Sequence, residues 1–273
     1  MHRRDFVRTV ATMLTGPVFF GPSTVLAFLP GSTKNLLSFK ILHTFPHDPD
    51  AFTQGLLFHE GLLYESTGGW GTSSLRKVEL ETGRVLQKRN LPHNYFGEGL
   101  ALWEDRLIQL TWRSGTGFVY DLAGLEQQGT FLYSGEGWGL TGDEQGLIMS
   151  DGTSWLRRLD GRTCGELSRF AVFDQGRPLS GLNELEYIDG EIWANVFPTK
   201  RIARIDPESG QVTGWLDLSG VLGIRRRLPP EAVANGIAWD QHEQRIFVTG
   251  KLWPVLFEIE ITAAPLNTDR ARE

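Results

Sequence analysis

The chain has 273 residues, enough for one sizeable core, and a formal net charge of −6, so an acidic body stands against nucleic acid as the main partner. The single cysteine, Cys164, excludes an internal disulfide and reads as a small apolar filler. Nine tryptophans and 32 glycines suit many short strands joined by tight turns better than a helical bundle.

Residues 1–27 read as an export signal of the twin-arginine type. Arg3-Arg4-Asp5-Phe6-Val7-Arg8 places paired arginines before a Phe and an apolar residue, and a mild apolar stretch runs from Val10 to Ala27. Gly16, Pro17, Gly21 and Pro22 interrupt that stretch too often for a membrane helix. Cleavage after Ala27 is expected, giving an exported, periplasmic product without a membrane span. Residues 28–37 read as a linker, 38–262 as the folded domain and 263–273 as a disordered polar tail.

Ser38 to Phe45 alternates apolar and polar residues like a strand, but has no partner nearby in sequence. A first group of four strands follows: Gln54–Phe58, Leu62–Ser66, Leu75–Leu80 and Arg84–Gln87. The second group is Gly99–Trp103, Arg106–Trp112, Gly117–Asp121 and a strand near Gln128 to Tyr133. The third is Gly139–Thr141, Leu147–Ser150, Trp155–Leu159 and Gly165 to Phe170. The fourth is Leu185–Ile188, Ile192–Val196 after an Asp189-Gly190 hairpin turn, Ile202–Ile205 and Gln211 to Leu216. The fifth supplies only Gly236–Trp239, Arg245–Thr249 and Val255–Ile259 before the chain turns polar.

Each group opens on a related triplet: Gln54-Gly55-Leu56, Glu98-Gly99-Leu100, Trp138-Gly139-Leu140, Asn183-Glu184-Leu185 and Asn235-Gly236-Ile237. The steps between them are 44, 40, 45 and 52 residues, which fits propeller blades of about 40 to 50 residues. The fifth group lacks one strand, and Ser38 to Phe45 is the unpaired strand that can close it. The expectation is all-β: a five-bladed β-propeller closed by its N-terminal strand.

In such a ring the start of each inner strand and the end of the next strand share one face. That rule gathers Gln54, Glu98, Trp138, Asn183 and Asn235 with Glu65, Trp112, Asp151, Asn195 and Lys251 on a polar and aromatic rim, the usual form of a small-ligand site. His43 and His47 read as packing or turn residues, because no second His or Cys lies at metal-ligand spacing. Trp103, Trp193 and Trp239 read as core, and Asp121, Asp160 and Asp206 as turn residues.

Phe52-Thr53-Gln54-Gly55-Leu56, Tyr64-Glu65-Ser66-Thr67-Gly68, Phe96-Gly97-Glu98-Gly99-Leu100, Ser150-Asp151-Gly152-Thr153-Ser154, Leu182-Asn183-Glu184-Leu185-Glu186-Tyr187, Asn235-Gly236-Ile237-Ala238-Trp239-Asp240 and Val248-Thr249-Gly250-Lys251-Leu252-Trp253-Pro254 occur in that order. Together they resemble the plant-type glutaminyl-peptide cyclotransferases, also called glutamine cyclotransferases, over residues 38–262. The resemblance implies a five-bladed propeller that converts the N-terminal glutamine of peptides or proteins to pyroglutamate with loss of ammonia. It also implies that Glu98, Asn183 and Lys251 are the catalytic set. No role is carried onto the connection from Val221 to Glu231.

Those residue types suit that chemistry. One carboxylate, Glu98, can take a proton from the amine and return it to the leaving nitrogen, while Lys251 and the Asn183 amide stabilise the oxyanion. Trp112 and Trp138 are expected to hold the substrate stem, and Gln54 is a further candidate substrate-binding residue. Glu65 and Glu184 are candidate amine binders or structural partners. No cofactor is expected for catalysis, a structural ion in the channel is left open, and a monomer is expected. Two other classes compete. One is a calcium-dependent propeller lactonase or esterase with Glu65, Glu98, Asn183 and Asn235 as oxygen ligands, against which Lys251 counts. The other is a non-catalytic exported binding module.

Overall fold

The structure is a computed structural model that describes residues 35–223 and 228–262. The expected export signal at 1–27, the expected tail at 263–273 and most of the expected linker lie outside the described residues. No helix occurs among the described residues, so none is long and apolar enough to cross a membrane.

The chain starts with β1 (Leu36–Pro46), two residues earlier than the alternation at Ser38 indicates. Unit one is β2 (Thr53–His59), β3 (Leu62–Thr67), β4 (Ser74–Glu79) and β5 (Val85–Asn90). Unit two is β6 (Gly97–Trp103), β7 (Arg106–Thr111), β8 (Thr116–Asp121) and β9 (Gln127–Leu132). Unit three is β10 (Leu140–Asp143), β11 (Gly146–Ser150), β12 (Trp155–Leu159) and β13 (Glu166–Ala171). A two-stranded ribbon, β14 (Phe173–Asp174) with β15 (Arg177–Pro178), follows and has no counterpart in the sequence reading. Unit four is β16 (Leu182–Ile188), β17 (Glu191–Val196), β18 (Arg201–Ile205) and β19 (Val212–Asp217). Unit five is β20 (Ala234–Asp240), β21 (Arg245–Gly250) and β22 (Val255–Thr262).

Within each unit the strands pair antiparallel in sequence order, as short connections require. The turns match their residues. Glu60-Gly61 and Asp189-Gly190 both put two successive residues at positive φ (48° and 81°, 47° and 86°), the geometry of a tight two-residue hairpin. The fourth strand of unit five is β1, antiparallel to β22 from Ser38↔Thr262 to Pro46↔Val255. Leu36 and Leu37 also pair in parallel with Trp215 and Leu216, so β1 joins units four and five into one eight-stranded sheet.

The inner strands touch in a cycle: β2 with β6, β6 with β10, β10 with β16, β16 with β20 and β20 with β2. An apolar cluster fills each gap between neighbouring units. Leu57 and Leu75 pack on Leu100, Leu107 and Phe118; Ala101 and Ile108 on Leu140, Leu147 and Met149; Ile148 and Leu156 on Leu185, Ile192 and Ala203. Trp193 and Leu216 pack on Ile237, Val248 and Phe257, and Ala238, Phe247 and Phe45 close back on Leu56 and Leu63. Cys164 is buried in the cluster between units two and three, as a filler should be. Trp193 is core, whereas Trp103 and Trp239 are half-buried.

The recurring triplets have a physical meaning. Pairing with the second strand slips between Thr53 and Gly55, Gly97 and Leu100, Leu182 and Leu185, and Ala234 and Ile237, so each is a β-bulge that re-aims one side chain. Their glycines let inner strands approach closely. A Cβ on Gly55 would stand 2.5 Å from the Leu100 nitrogen, and one on Gly99 2.5 Å from the Leu140 nitrogen. Unit four has Glu184 in place of that glycine, and its carboxylate accepts the N–H groups of Leu56 and Ile237 at 3.2 and 2.9 Å.

Candidate active site

The bulges deliver Gln54, Glu98 and Asn183 to one cavity of about 370 Å³, near the lower end of the roughly 300–1,000 Å³ typical of ligand pockets. Lys251, at the end of β21, reaches the same cavity. Phe52, Phe96, Trp112, Trp138 and Phe197 form its walls, and Pro198, Pro230, Glu231 and Val233 complete the lining. The aromatic rings support one another edge to face: Phe96 lies 6.1 Å from Phe52 and 5.6 Å from Trp112, and Trp138 lies 5.8 Å from Phe197.

Glu98 is buried, and its Oε1 accepts one hydrogen bond, from Gln54 Nε2 at 3.1 Å. Gln54 is oriented in turn, because its Oε1 accepts from Asn235 Nδ2 at 3.3 Å. The backbone under Glu98 is fixed by the Ser66 hydroxyl, which donates to the Glu98 carbonyl, and Ser66 accepts from Gln109 at 2.7 Å. Ser150 does the same for Asn183, donating to its carbonyl at 2.7 Å. Ser66 is next to last in β3 and Ser150 is last in β11, each the second strand of the preceding unit, so one repeated device positions two of the expected catalytic residues. The Asn183 carboxamide itself has no hydrogen-bond partner among the described residues, and its Oδ1 is buried.

Burial pushes Glu98 well above the usual carboxylate range; the nearby Lys251 charge pulls it back and Glu136 adds to the rise. Burial likewise pushes Lys251 down to about 8, with the Glu98 charge acting the other way. The Lys251 ammonium makes no ion pair among the described residues and instead faces the rings of Phe52 and Phe197, 4.9 and 5.3 Å from their centroids. The cavity therefore holds an acid and a base whose burial drives both toward their neutral forms, beside a carboxamide with free hydrogen-bonding capacity.

Glu65 and Glu184, also named as site candidates, do not line this cavity. Glu65 pairs with His47 Nε2 at 3.0 Å, accepts from Thr53 Oγ1 at 2.8 Å and lies 3.8 Å from Arg76. Glu184 follows Asn183 and turns the other way, onto the backbone of β2 and β20. Burial and then the charge of neighbouring Glu186 push it well up, against its two N–H donors. Asp151 and Asn195 are likewise engaged, by Arg157 at 2.7 Å and the Gly236 N–H at 2.9 Å.

The sequence reading missed Phe197, Pro198, Pro230, Glu231 and Val233, which lie in connections and carry no repeat signal. It also missed Glu136, whose Oε2 accepts the indole N–H groups of Trp112 and Trp138 at 2.8 and 2.9 Å. A signal for it existed: Gly135-Glu136-Gly137 has the same glycine-flanked form as Gly97-Glu98-Gly99.

The family model described as glutamine cyclotransferase matches residues 18–261. A curated glutaminyl-peptide cyclotransferase of Arabidopsis thaliana is 45% identical over 264 residues, covering 92% of this chain and 82% of the relative. The crystal structure of a glutaminyl cyclase of Myxococcus xanthus superposes with a TM-score of 0.79 at 38% identity, covering 85% of this chain and 99% of that one. With the family model running through all five units and a relative this similar across most of the chain, the protein belongs to the glutamine cyclotransferase family.

Proposed function

We propose that the protein is a glutaminyl-peptide cyclotransferase, closing the N-terminal glutamine of peptides or proteins to pyroglutamate and releasing ammonia, with Glu98, Asn183 and Lys251 as its catalytic set. The observation that carries the reading is a buried carboxylate facing a buried amine across one aromatic-walled cavity. Family membership and the two named relatives support the same activity.

In this reading the substrate enters with its α-ammonium beside Glu98, and the aromatic walls hold the glutamine stem folded so that amine and side-chain carbonyl meet. Glu98 takes one proton from the ammonium. The neutral amine attacks Cδ, forming the ring N–C bond, and the charge on the carbonyl oxygen is met by the Lys251 ammonium and the Asn183 amide. Glu98 then gives its proton to the side-chain nitrogen, and the C–N bond breaks as the carbonyl re-forms and ammonia leaves. Glu98 takes the remaining extra proton from the ring nitrogen and releases it to the departing ammonia as ammonium. The raised value of Glu98 suits both halves of this transfer, since a proton carrier works best when matched to the working pH.

The cyclic contact of inner strands, the five inter-unit clusters and the pairing of β1 with β22 support a five-bladed propeller closed by its N-terminal strand. Catalysis in this mechanism needs no cofactor. Calcium-dependent ester cleavage is the weaker reading, because Glu65 is engaged by His47 and Thr53 and the Lys251 ammonium would face the metal. An exported enzyme fits the twin-arginine pattern at Arg3-Arg4, and Arg3→Lys with Arg4→Lys would then hold the precursor inside the cell; normal export of that double variant would remove the proposal. The central test incubates purified protein with a glutamine-initiated dipeptide and follows free ammonia and the matching mass loss. Binding without turnover would sink the enzymatic reading.

A further inference from the structure

Glu136 lies in the connection between β9 and β10 and is absent from the cavity lining, yet it holds two of the walls. Its Oε2 accepts Trp112 Nε1 at 2.8 Å and Trp138 Nε1 at 2.9 Å, while Oε1 accepts Arg113 Nε at 2.9 Å. The Arg113 guanidinium also stacks 3.9 Å above the Trp112 ring. Trp112 follows the end of β7 and Trp138 precedes β10, so this clamp bridges units two and three. An indole N–H can only donate, and two donors sharing one oxygen fix the directions of both rings. Through their edge contacts those indoles also support Phe96 and Phe197. With three donors on two oxygens, Glu136 has little capacity left to bind a substrate amine.

We propose that Glu136 is a positioning residue of this cavity, locking Trp112 and Trp138 into the substrate-holding arrangement and fixing a negative charge behind those two walls. The inference rests on the cyclotransferase reading for its kinetic consequences. The charges around the clamp are few. Arg113 neutralises part of Glu136 from outside, Glu231 also lines the cavity, and Glu98 feels Lys251 across the cavity and Glu136 from behind its walls. Hydrogen bonds from Trp138, Arg113 and Trp112 outweigh the effect of burial and hold the Glu136 carboxyl below its ordinary range, so it stays ionised while Glu98 titrates. A fixed anion behind the walls attracts the ammonium of the substrate and opposes ionisation of Glu98, which favours proton uptake from that ammonium.

The test uses the full-length protein with Glu136→Gln, Glu136→Ala and Arg113→Gln, each checked by melting temperature. Glu136→Gln keeps an acceptor for the indoles and deletes the charge. It is expected to move the acid limb of kcat/KM to lower pH by roughly half a pH unit, with KM for a glutamine dipeptide raised about threefold. Arg113→Gln leaves both indole bonds and removes the neutralising cation, so its limb is expected to move the opposite way. Coincident limbs in wild type and both variants, or shifts of the same sign, would overturn the proposal. If the wild-type protein released no ammonia, the cyclotransferase reading would fail separately, and near-ultraviolet circular dichroism would judge the clamp. That signal is expected to weaken in Glu136→Ala and persist in Arg113→Gln, and an unchanged spectrum in Glu136→Ala overturns the clamp.

Discussion

Gln54 Nε2 donates to Glu98 Oε1 at 3.1 Å, the one hydrogen bond that the Glu98 carboxyl receives among the described residues. A buried carboxylate with a single neutral donor is poorly compensated, which is why burial dominates its protonation. Glu98→Gln keeps an oxygen for Gln54 but removes the proton carrier. The expected kcat falls by about 10² to 10⁴-fold. Stability should move the other way. Raised in the folded state, Glu98 costs nothing below its ordinary value of 4.5, and the cost grows as pH climbs from there to the folded value. The variant should therefore melt higher than wild type at neutral and alkaline pH and equally at pH 4 or below. Retained turnover in Glu98→Gln would move the base elsewhere.

Lys251 carries the mirror-image expectation. Its folded value near 8 against an ordinary 10.5 means that the buried ammonium destabilises fully below about pH 8, and the cost fades as pH rises toward 10.5. Lys251→Met should lower kcat while raising the melting temperature below pH 8, with the stability gap closing at high pH. It should also keep a Glu98-governed acid limb at a lower ceiling, moved to higher pH because the Lys251 charge no longer pulls Glu98 down. Loss of that limb together with kcat would mean that Lys251, not Glu98, carries the proton.

Most of the strand order was legible because the fold repeats one pattern five times and the alternation of apolar residues marks each strand. Where the repeat lapses, so did the reading. Phe173–Asp174 and Arg177–Pro178 are too short to alternate, and Glu136, Phe197 and Pro230 sit in connections whose place at the cavity is set by packing between units. The rim rule found Gln54, Glu98, Trp112, Trp138, Asn183 and Lys251 because it fixes which strand ends share a face. It could not fix direction. Neighbouring residues on a strand point apart, so Asn183 turns to the cavity while Glu184 turns to the inner strands. Glu65 lies opposite Arg76 across its strand pair and meets His47 from the segment after β1, a contact no local pattern encodes.

That His47–Glu65 pair gives a pH prediction of its own. His47 Nδ1 donates to the Trp253 carbonyl at 2.6 Å and Nε2 meets Glu65 at 3.0 Å, so with Glu65 ionised both ring nitrogens donate and the pair is imidazolium with carboxylate. Burial opposes that charge, but Glu65, the Trp253 carbonyl and Asp48 outweigh it and raise His47 above 6.5. Burial equally opposes the Glu65 charge, and His47, Arg76 and Thr53 outweigh it to hold Glu65 below 4.5. The His47 contribution is complete below pH 6.5 and lost as pH rises through its folded value. That of Glu65 is complete above pH 4.5 and lost as pH falls through its folded value. Between 4.5 and 6.5 both are intact, and His47→Gln should cost about 3 kcal/mol there by urea unfolding, less at pH 9. A cost that does not change with pH would show that the pair is not ionic.

The closing strand supplies the last prediction. β1 is the only element that pairs with both β19 and β22 among the described residues, and its Phe45 is buried between units five and one with Leu56, Phe247 and Leu256. Without it, β22 would present a bare edge from Val255 to Thr262, and the cluster that closes the cycle onto unit one would lose a ring. Removing residues 28–45 should therefore abolish cooperative melting instead of trimming a tail. Because β1 contributes through backbone pairing and one apolar anchor, a synthetic peptide spanning residues 35–46 should restore part of the transition when added in excess, and the same peptide with Phe45→Ser should restore less. A truncated protein with an unchanged melting temperature would mean that units four and five hold together without the strand, and closure by β1 would fall.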